Sequence, residues 1–300
     1  MSTTPHYTRE HLLNLQPRFP TFVGIDSDGC IFPTMEIKQK HCFHSLIISI
    51  WKLEPIEMAL RQTAEFVNLY SIHRGQNRFP CLLTTFDLLR SHPEVRRSGF
   101  QLPSTRALRE FCESGLPLGN PALEKRVEET HDPELQQLLT WSLEVNKAVA
   151  RTVRNIKPFK GVIESLEDIR THSDAICVSQ TPTEALVREW EEHGLLKFVE
   201  VIAGQELGTK SEHLTLATSR RYPSERVMMI GDAPGDLNAA YTVGAHFFPI
   251  NPGHEEASWA CFHREAYRRF LEGRYDRDYE AALVQQFKAL LPERPPWETP

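Results

Sequence analysis

Apolar positions follow two regimes along the chain. A short run, Phe22-Val23-Gly24-Ile25, ends in Asp26-Ser27-Asp28-Gly29 and predicts a strand closed by a turn. From about Thr34 to about Asn155 nothing reads as a strand. Ile37, Phe43, Leu46, Ile47 and Ile50 recur near the helical period and predict a helix over Met35 to Trp51. A second helix is predicted from Ile56 to Ile72, stopped by Gly75, and shorter ones over Leu82 to Leu89 and Thr105 to Phe111. Asp132-Pro133, an N-cap followed by proline at the first helical position, opens another that runs to about Val153.

Beyond Pro158 strands and helices alternate. Strands are predicted at Ala175 to Val178, Val199 to Ala203, Arg226 to Ile230 and Phe247 to Ile250. Between them, Val162, Ile163, Leu166 and Ile169 mark one helix face, and Leu214 to Arg220 and Gly235 to Val243 continue the helical set. Thr181-Pro182-Thr183-Glu184 reads as a capping box, so Thr181 is expected to start a helix that ends at Gly194 and to leave Ser179 free of capping duty. Alternation of this kind predicts a doubly wound, Rossmann-like α/β core with a parallel sheet. The first strand belongs to that core, and a helical insert of roughly 120 residues, enough for a small domain, follows it. The expected division is residues 1–32 and 156–300 as a discontinuous core and 33–155 as an inserted all-α cap domain. Ser258 to Leu291 predicts one or two helices, and the proline-rich end (Pro292, Pro295, Pro296, Pro300) a loose tail.

Composition narrows the function classes. The 300 residues are 40% hydrophobic and 25% charged, with a net charge of −6. No basic block stands out, which argues against a nucleic-acid partner. No apolar run of about 18 residues exists, which argues against a membrane span. The first residues lack the charged-then-apolar pattern of a signal peptide. Cys30, Cys42, Cys81, Cys112, Cys177 and Cys261 are scattered, none in a C-x-x-C pair, as expected of a cytoplasmic protein with reduced thiols.

Four pieces fall in one order, each at the C-terminal end of a predicted strand: Asp26 with Asp28 and Gly29, then Ser179, then Lys210, then Gly231-Asp232 with Asp236. Loops at the carboxyl ends of parallel strands converge, so residues distant in sequence meet there. Alone, each has a bland reading as a turn, a cap or a solvated lysine; together they define a site. The set resembles the haloacid dehalogenase superfamily in its phosphatase branch, through FVGIDSDG, AICVS, LGTKSEHL and VMMIGDAPGD. The insert stands where such proteins carry a helical cap. The resemblance implies a Mg²⁺-dependent hydrolase of a small phosphorylated metabolite. Asp26 would be the nucleophile that forms an aspartyl-phosphate. Asp28 would be the general acid and base, and Ser179 and Lys210 would hold the phosphoryl oxygens. Asp26, the Asp28 carbonyl and Asp232 would ligate the metal. Asp236 would orient Lys210 or a metal-bound water, and Gly29 would allow a tight turn beside the phosphate. One departure stands out: Cys30 follows Asp-Gly where the family often has Thr. A thiol is the weaker hydrogen-bond partner, and Cys30 reads as a small packed residue.

Substrate selection is expected in the insert, where Arg74 and Arg78 flank a loop and suit anionic oxygens. The competing reading is that basic residues near a helix end simply face water. His41 and His44 are expected to share a helix face, but with Cys42 they lack further ligands for a metal site. A dehalogenase is disfavoured by the presence of Asp28, and a phospho-receiver by the large insert. A phosphoglucomutase-like phosphotransferase and a non-catalytic phospho-ligand binding protein remain as alternatives. The oligomeric state is not readable.

Overall fold

The computed structural model describes residues 6–298. Its chain divides into two compact units, Met1–Met35 with Arg154–Leu290, and Glu36–Val153 with Leu291–Pro300.

The first unit is built on five strands: β1 (Phe22–Ile25), β2 (Asp174–Val178), β3 (Val201–Ala203), β4 (Val227–Gly231) and β5 (His246–Pro249). They form one sheet in the order β3-β2-β1-β4-β5, with every pairing parallel. Every strand residue is buried. That is why the strands read as continuous apolar runs rather than alternating ones. The chain steps from β1 to β2 and β3 on one side and to β4 and β5 on the other, so order reverses beside β1. In doubly wound sheets this is where ligands bind. Register sharpens the point: Ile25 lies opposite both Cys177 and Ile230. Asp26, Ser179 and Asp232 therefore leave the sheet at one edge.

Helices Val162–His172, Thr183–Glu192, Lys210–Thr218 and Pro234–Thr242 connect these strands. The C-terminal segments Glu255–Cys261 and Tyr267–Leu271 supply Trp259 and Phe270 to the same apolar cluster as Ile25 and Cys177. Arg277–Ala289 is fastened to β5 through buried Glu280, which accepts from the Phe247 N–H at 3.1 Å and lies 2.7 Å from His246 Nδ1.

The second unit is helical. Its apolar cluster gathers Ile47, Leu60, Phe79, Phe86, Phe111, Leu138 and Trp141, with Trp141 in edge contact with Phe43, Trp51 and Phe79. Asp132 caps Pro133–Thr152 by accepting from the N–H groups of Glu134 and Leu135, as its sequence predicts. The helix expected over Met35 to Trp51 is interrupted: Lys38–Phe43 winds as a π-helix. In consequence His41 is exposed and His44 is fully buried, so the two do not share a face. Two further elements were not predicted. Asn120–Thr130 buries only Leu123, too little for a hydrophobic period to register, and Pro93–Ser98 buries only Val95.

The segment after Leu290 also departs from expectation. It was placed with the core as a loose tail, but it groups with the helical unit. Trp297 packs on Phe66, Val67 and Cys81, its ring centroid 4.8 Å from that of His92, and Ser91 Oγ donates to Glu298 at 2.7 Å. An aromatic ring on an apolar face outweighs the irregularity that prolines impose. Pro300 lies outside the described residues. Among the described residues no helix is long and apolar enough to cross a membrane.

Candidate active site

β1 delivers Asp26 to the sheet edge, where its N–H donates to the Ile230 carbonyl at 2.9 Å and extends the ladder by one residue. Gly29 then turns the chain at φ +77°, and its N–H donates to Phe32 O at 2.8 Å. A side chain would be strained in that conformation. Between the two carboxylates, Ser27 is fully buried and its Oγ accepts from Trp190 Nε1 at 3.0 Å. That bond anchors the Asp26-Ser27-Asp28 segment to the helix after β2.

Lys210 is not at a strand end. β3 stops at Ala203, a 3-10 turn over Gln205–Leu207 follows, and Lys210 is the first residue of its helix. Thr209 caps that helix reciprocally with Glu212. The long side chain spans the remaining distance: Nζ lies 2.9 Å from Asp26 Oδ2 and 2.5 Å from Asp236 Oδ1. Burial opposes the Lys210 ammonium, but Asp236 and Asp26 outweigh it and raise its pKa above the ordinary lysine value. Asp236 is fully buried, and its pKa is pushed up to about 6, by burial first, against the pull of Lys210. Its other oxygen accepts from the Ala233 N–H at 3.0 Å and so closes the start of Pro234–Thr242. Gly231 makes this possible, because a Cβ there would lie 2.3 Å from Asp236 Cγ.

Asp232 is buried beside this pair. Oxygens of Asp26, Asp232 and Asp236 all lie within 4.8 Å of one another. Three buried carboxylates crowd together beside Lys210, in a medium that penalises charge. Hard oxygen donors in that density suit a small divalent cation such as Mg²⁺. On donor chemistry, the residues present fit the ion.

Ser179 and Thr181 exchange the roles expected of them. Thr181 does not cap the helix after β2, which begins at Thr183. The Thr183 N–H is taken instead by Glu206, from the loop after β3, at 2.9 Å. Ser179, buried, accepts from the Thr181 N–H at 3.2 Å, and its own O–H stays available as a donor. The Thr181 hydroxyl donates to Asp28 Oδ2 at 2.6 Å, and the Thr34 hydroxyl to Asp28 Oδ1. Neither threonine was expected from the sequence to meet Asp28. A hydroxyl two residues beyond Ser179 was a signal, but the capping motif absorbed it. Cys30 is packed as expected: fully buried, its thiol pKa raised by burial, its Sγ 3.9 Å from Ile230 O.

The arginines of the insert separate. Arg78 Nη1 donates to Ser142 O, Ser142 Oγ and Asn146 Oδ1 at 2.8–3.1 Å, and its guanidinium lies over the Phe43 ring. Burial pushes its pKa down to about 10. It braces Arg78–Ser91 against Pro133–Thr152 within the helical unit, a role the sequence did not indicate. Arg74 is buried, with Nη1 on the Leu69 carbonyl at 2.8 Å. It belongs to a polar cluster with Glu36, Lys40 and Tyr70. Burial raises the Glu36 pKa, but Tyr70, Lys40 and Arg74 outweigh it, so Glu36 sits below its usual value.

A parallel sheet with an acidic pocket at its topological switch defines an α/β protein of Rossmann-like fold with a helical insertion. Residues 107–250 match the family of haloacid dehalogenase-like hydrolases, and the resemblance carried by the motifs is borne out. The matched span contains Ser179, Lys210, Asp232 and Asp236, while Asp26 and Asp28 precede it. Among solved structures, a haloacid dehalogenase-like family hydrolase from Streptococcus pneumoniae is 15% identical, over 82% of this chain and 91% of that chain, with a TM-score of 0.41. A structure from Bacteroides fragilis assigned to haloacid dehalogenase-like hydrolases is 15% identical over 79% and 92%, TM-score 0.49. One described as a predicted phosphatase from Clostridium acetobutylicum is 15% identical over 77% and 84%, TM-score 0.41. No curated protein matches the chain.

Proposed function

We propose that this haloacid dehalogenase-like hydrolase is a Mg²⁺-dependent phosphatase acting on a small phosphate monoester through an aspartyl-phosphate. The observation that carries the reading is the juxtaposition of Asp26, Lys210 and Asp236, with Asp232 beside them, at one sheet edge. Asp26, the Asp28 carbonyl and Asp232 would hold the ion, with the Asp236 carboxylate close by. Bound there, Mg²⁺ would offset the repulsion between carboxylate and phosphate dianion.

The chain's own residues do the rest. An Asp26 oxygen bonds to phosphorus as the ester P–O bond breaks, and the Asp28 proton passes to the leaving oxygen. Asp28 then takes a proton from water, whose oxygen bonds to phosphorus while the Asp26–phosphorus linkage breaks. Lys210 and the Ser179 hydroxyl hold the non-bridging oxygens as their charge develops. Asp236 holds Lys210 in place beside Asp26. Substrate choice falls to the helical unit acting as a cap, with Arg74 in its polar cluster the residue assigned to an anionic group. Arg78, whose Nη1 bonds to Ser142 and Asn146, is assigned to bracing that unit.

The deciding assay is a panel of phosphate monoesters, sugar phosphates included, with Mg²⁺. Release of inorganic phosphate supports the phosphatase. Isomerisation of a sugar phosphate without free phosphate replaces it with the phosphotransferase. A blank across the panel defeats catalysis altogether.

A further inference from the structure

The Asp28 carboxylate is held at both oxygens by threonine hydroxyls from separate elements, Thr34 at the start of the helix Thr34–Ile37 and Thr181 in the loop after β2. Thr181 is fixed for this contact at every polar atom of its backbone. Its N–H donates to Ser179 Oγ at 3.2 Å, and its carbonyl accepts from the Gln205 N–H at 3.1 Å. A threonine beside a helix start ordinarily spends its hydroxyl on capping. Here Glu206 takes both the N–H and the hydroxyl of Thr183, at 2.9 and 2.8 Å. The cap is supplied from another loop, and the Thr181 hydroxyl is left for Asp28.

We infer that Thr181 is a positioning residue for the proton transfers of Asp28, an inference that rests on the reading of Asp28 as the acid and base. Its chemistry suits the task better than a backbone amide would. An N–H only donates, so it serves a carboxylate and opposes a carboxylic acid. A hydroxyl donates to the first and accepts from the second by turning about its C–O bond. Thr181 thus stays on the same oxygen while the Asp28 proton leaves for the ester oxygen and is replaced from water. Its own proton never departs. Cys30, with its sulfur directed to Ile230 O, does not offer that service, and Thr181 reaches Asp28 from the opposite side in sequence.

The test compares two substrates with Mg²⁺: an alkyl phosphate, whose leaving oxygen needs a proton, and p-nitrophenyl phosphate, whose leaving group does not. The variants are Thr181→Val, Thr181→Ala and Thr181→Ser, with Asp28→Asn as the benchmark and circular dichroism as the check on folding. In Thr181→Val and Thr181→Ala the alkyl-to-aryl ratio of kcat falls at least about tenfold, the low end of what proton transfer contributes, with KM little changed. Thr181→Ser restores the ratio. An unchanged ratio in Val and Ala overturns the inference, as does a Ser variant as impaired as Val, which would assign the effect to the methyl group. If Asp28→Asn itself leaves the ratio unchanged, the reading of Asp28 fails and the inference goes with it. If Asp28→Asn lowers the ratio and the Thr181 variants do not, only the inference falls.

Discussion

Gly231→Ala places a methyl group where the Asp236 side chain already stands. The added carbon would lie 2.3 Å from Cγ and 2.4 Å from Cβ and Oδ2, well inside van der Waals contact. Gly231 ends a central strand and is bonded to its neighbours, so Asp236 is the group that must move. Overpacking alone costs about 1–3 kcal/mol. Displacing Asp236 also weakens its bonds to Lys210 at 2.5 Å and the Ala233 N–H at 3.0 Å, each a charged hydrogen bond that stabilises by about 1.5–3 kcal/mol. These losses overlap, and the expected total is about 3–5 kcal/mol. Urea unfolding of Gly231→Ala, Asp236→Gly and the double variant forms the assay. In the double variant the methyl enters space that Asp236 has vacated. Its destabilisation should match that of Asp236→Gly alone and fall short of the sum of the single changes by about 3–5 kcal/mol, the whole cost of Gly231→Ala. Additivity to within about 0.5 kcal/mol would show that the two positions do not compete for one volume.

Four other outcomes are expected. Asp26→Asn keeps the fold and lowers turnover on the best phosphate ester by at least about 10³-fold, the scale of losing a covalent nucleophile; near-normal turnover contradicts the mechanism. Exhaustive chelation abolishes activity and Mg²⁺ restores it, with Ca²⁺ a poor substitute because it prefers more ligands and a looser geometry; full activity after chelation contradicts a metal at Asp26 and Asp232. Arg78→Ala lowers stability by about 2–3 kcal/mol through its lost bonds to Ser142 and Asn146, and leaves KM unchanged; a selective rise in KM would return Arg78 to the substrate. His44, whose pKa burial lowers to about 3, protonates in the unfolded chain below about pH 6.5 but not in the folded one. Stability therefore falls as pH drops through that window, and between pH 7 and 5 His44→Leu should escape about 2 kcal/mol of the loss, read as a smaller shift in urea midpoint.

The strands were legible because a buried parallel strand writes itself as an uninterrupted apolar run, and β1 occupies the residues predicted for it. The acidic positions were legible because Asp26 and Asp232 stand directly after such runs. Lys210 was identifiable by motif but not by position, since a side chain of its length reaches the site from a helix start. Thr181 was hidden by its local grammar: Thr-Pro-Thr-Glu satisfies a capping rule, and only a carboxylate from the distant Glu206 loop relieves it of that duty. The bracing role of Arg78 was hidden for a related reason. Its loop suggests exposure, whereas Ser142 and Asn146, more than sixty positions on, decide where it points.

The C-terminal segment bears on how the chain matures. The helical unit draws on residues from 36 to 153 and again from 291 onward, with the whole of β2 to β5 translated in between. A ribosome releases the first stretch long before Trp297 exists to cover Phe66 and Val67. That patch stays uncovered by its native partner throughout synthesis of the α/β unit, the interval in which exposed apolar surface invites aggregation or a chaperone. Contacts between positions 66 and 297 are also among the longest-range in the molecule, and closing them belongs to the slow end of folding.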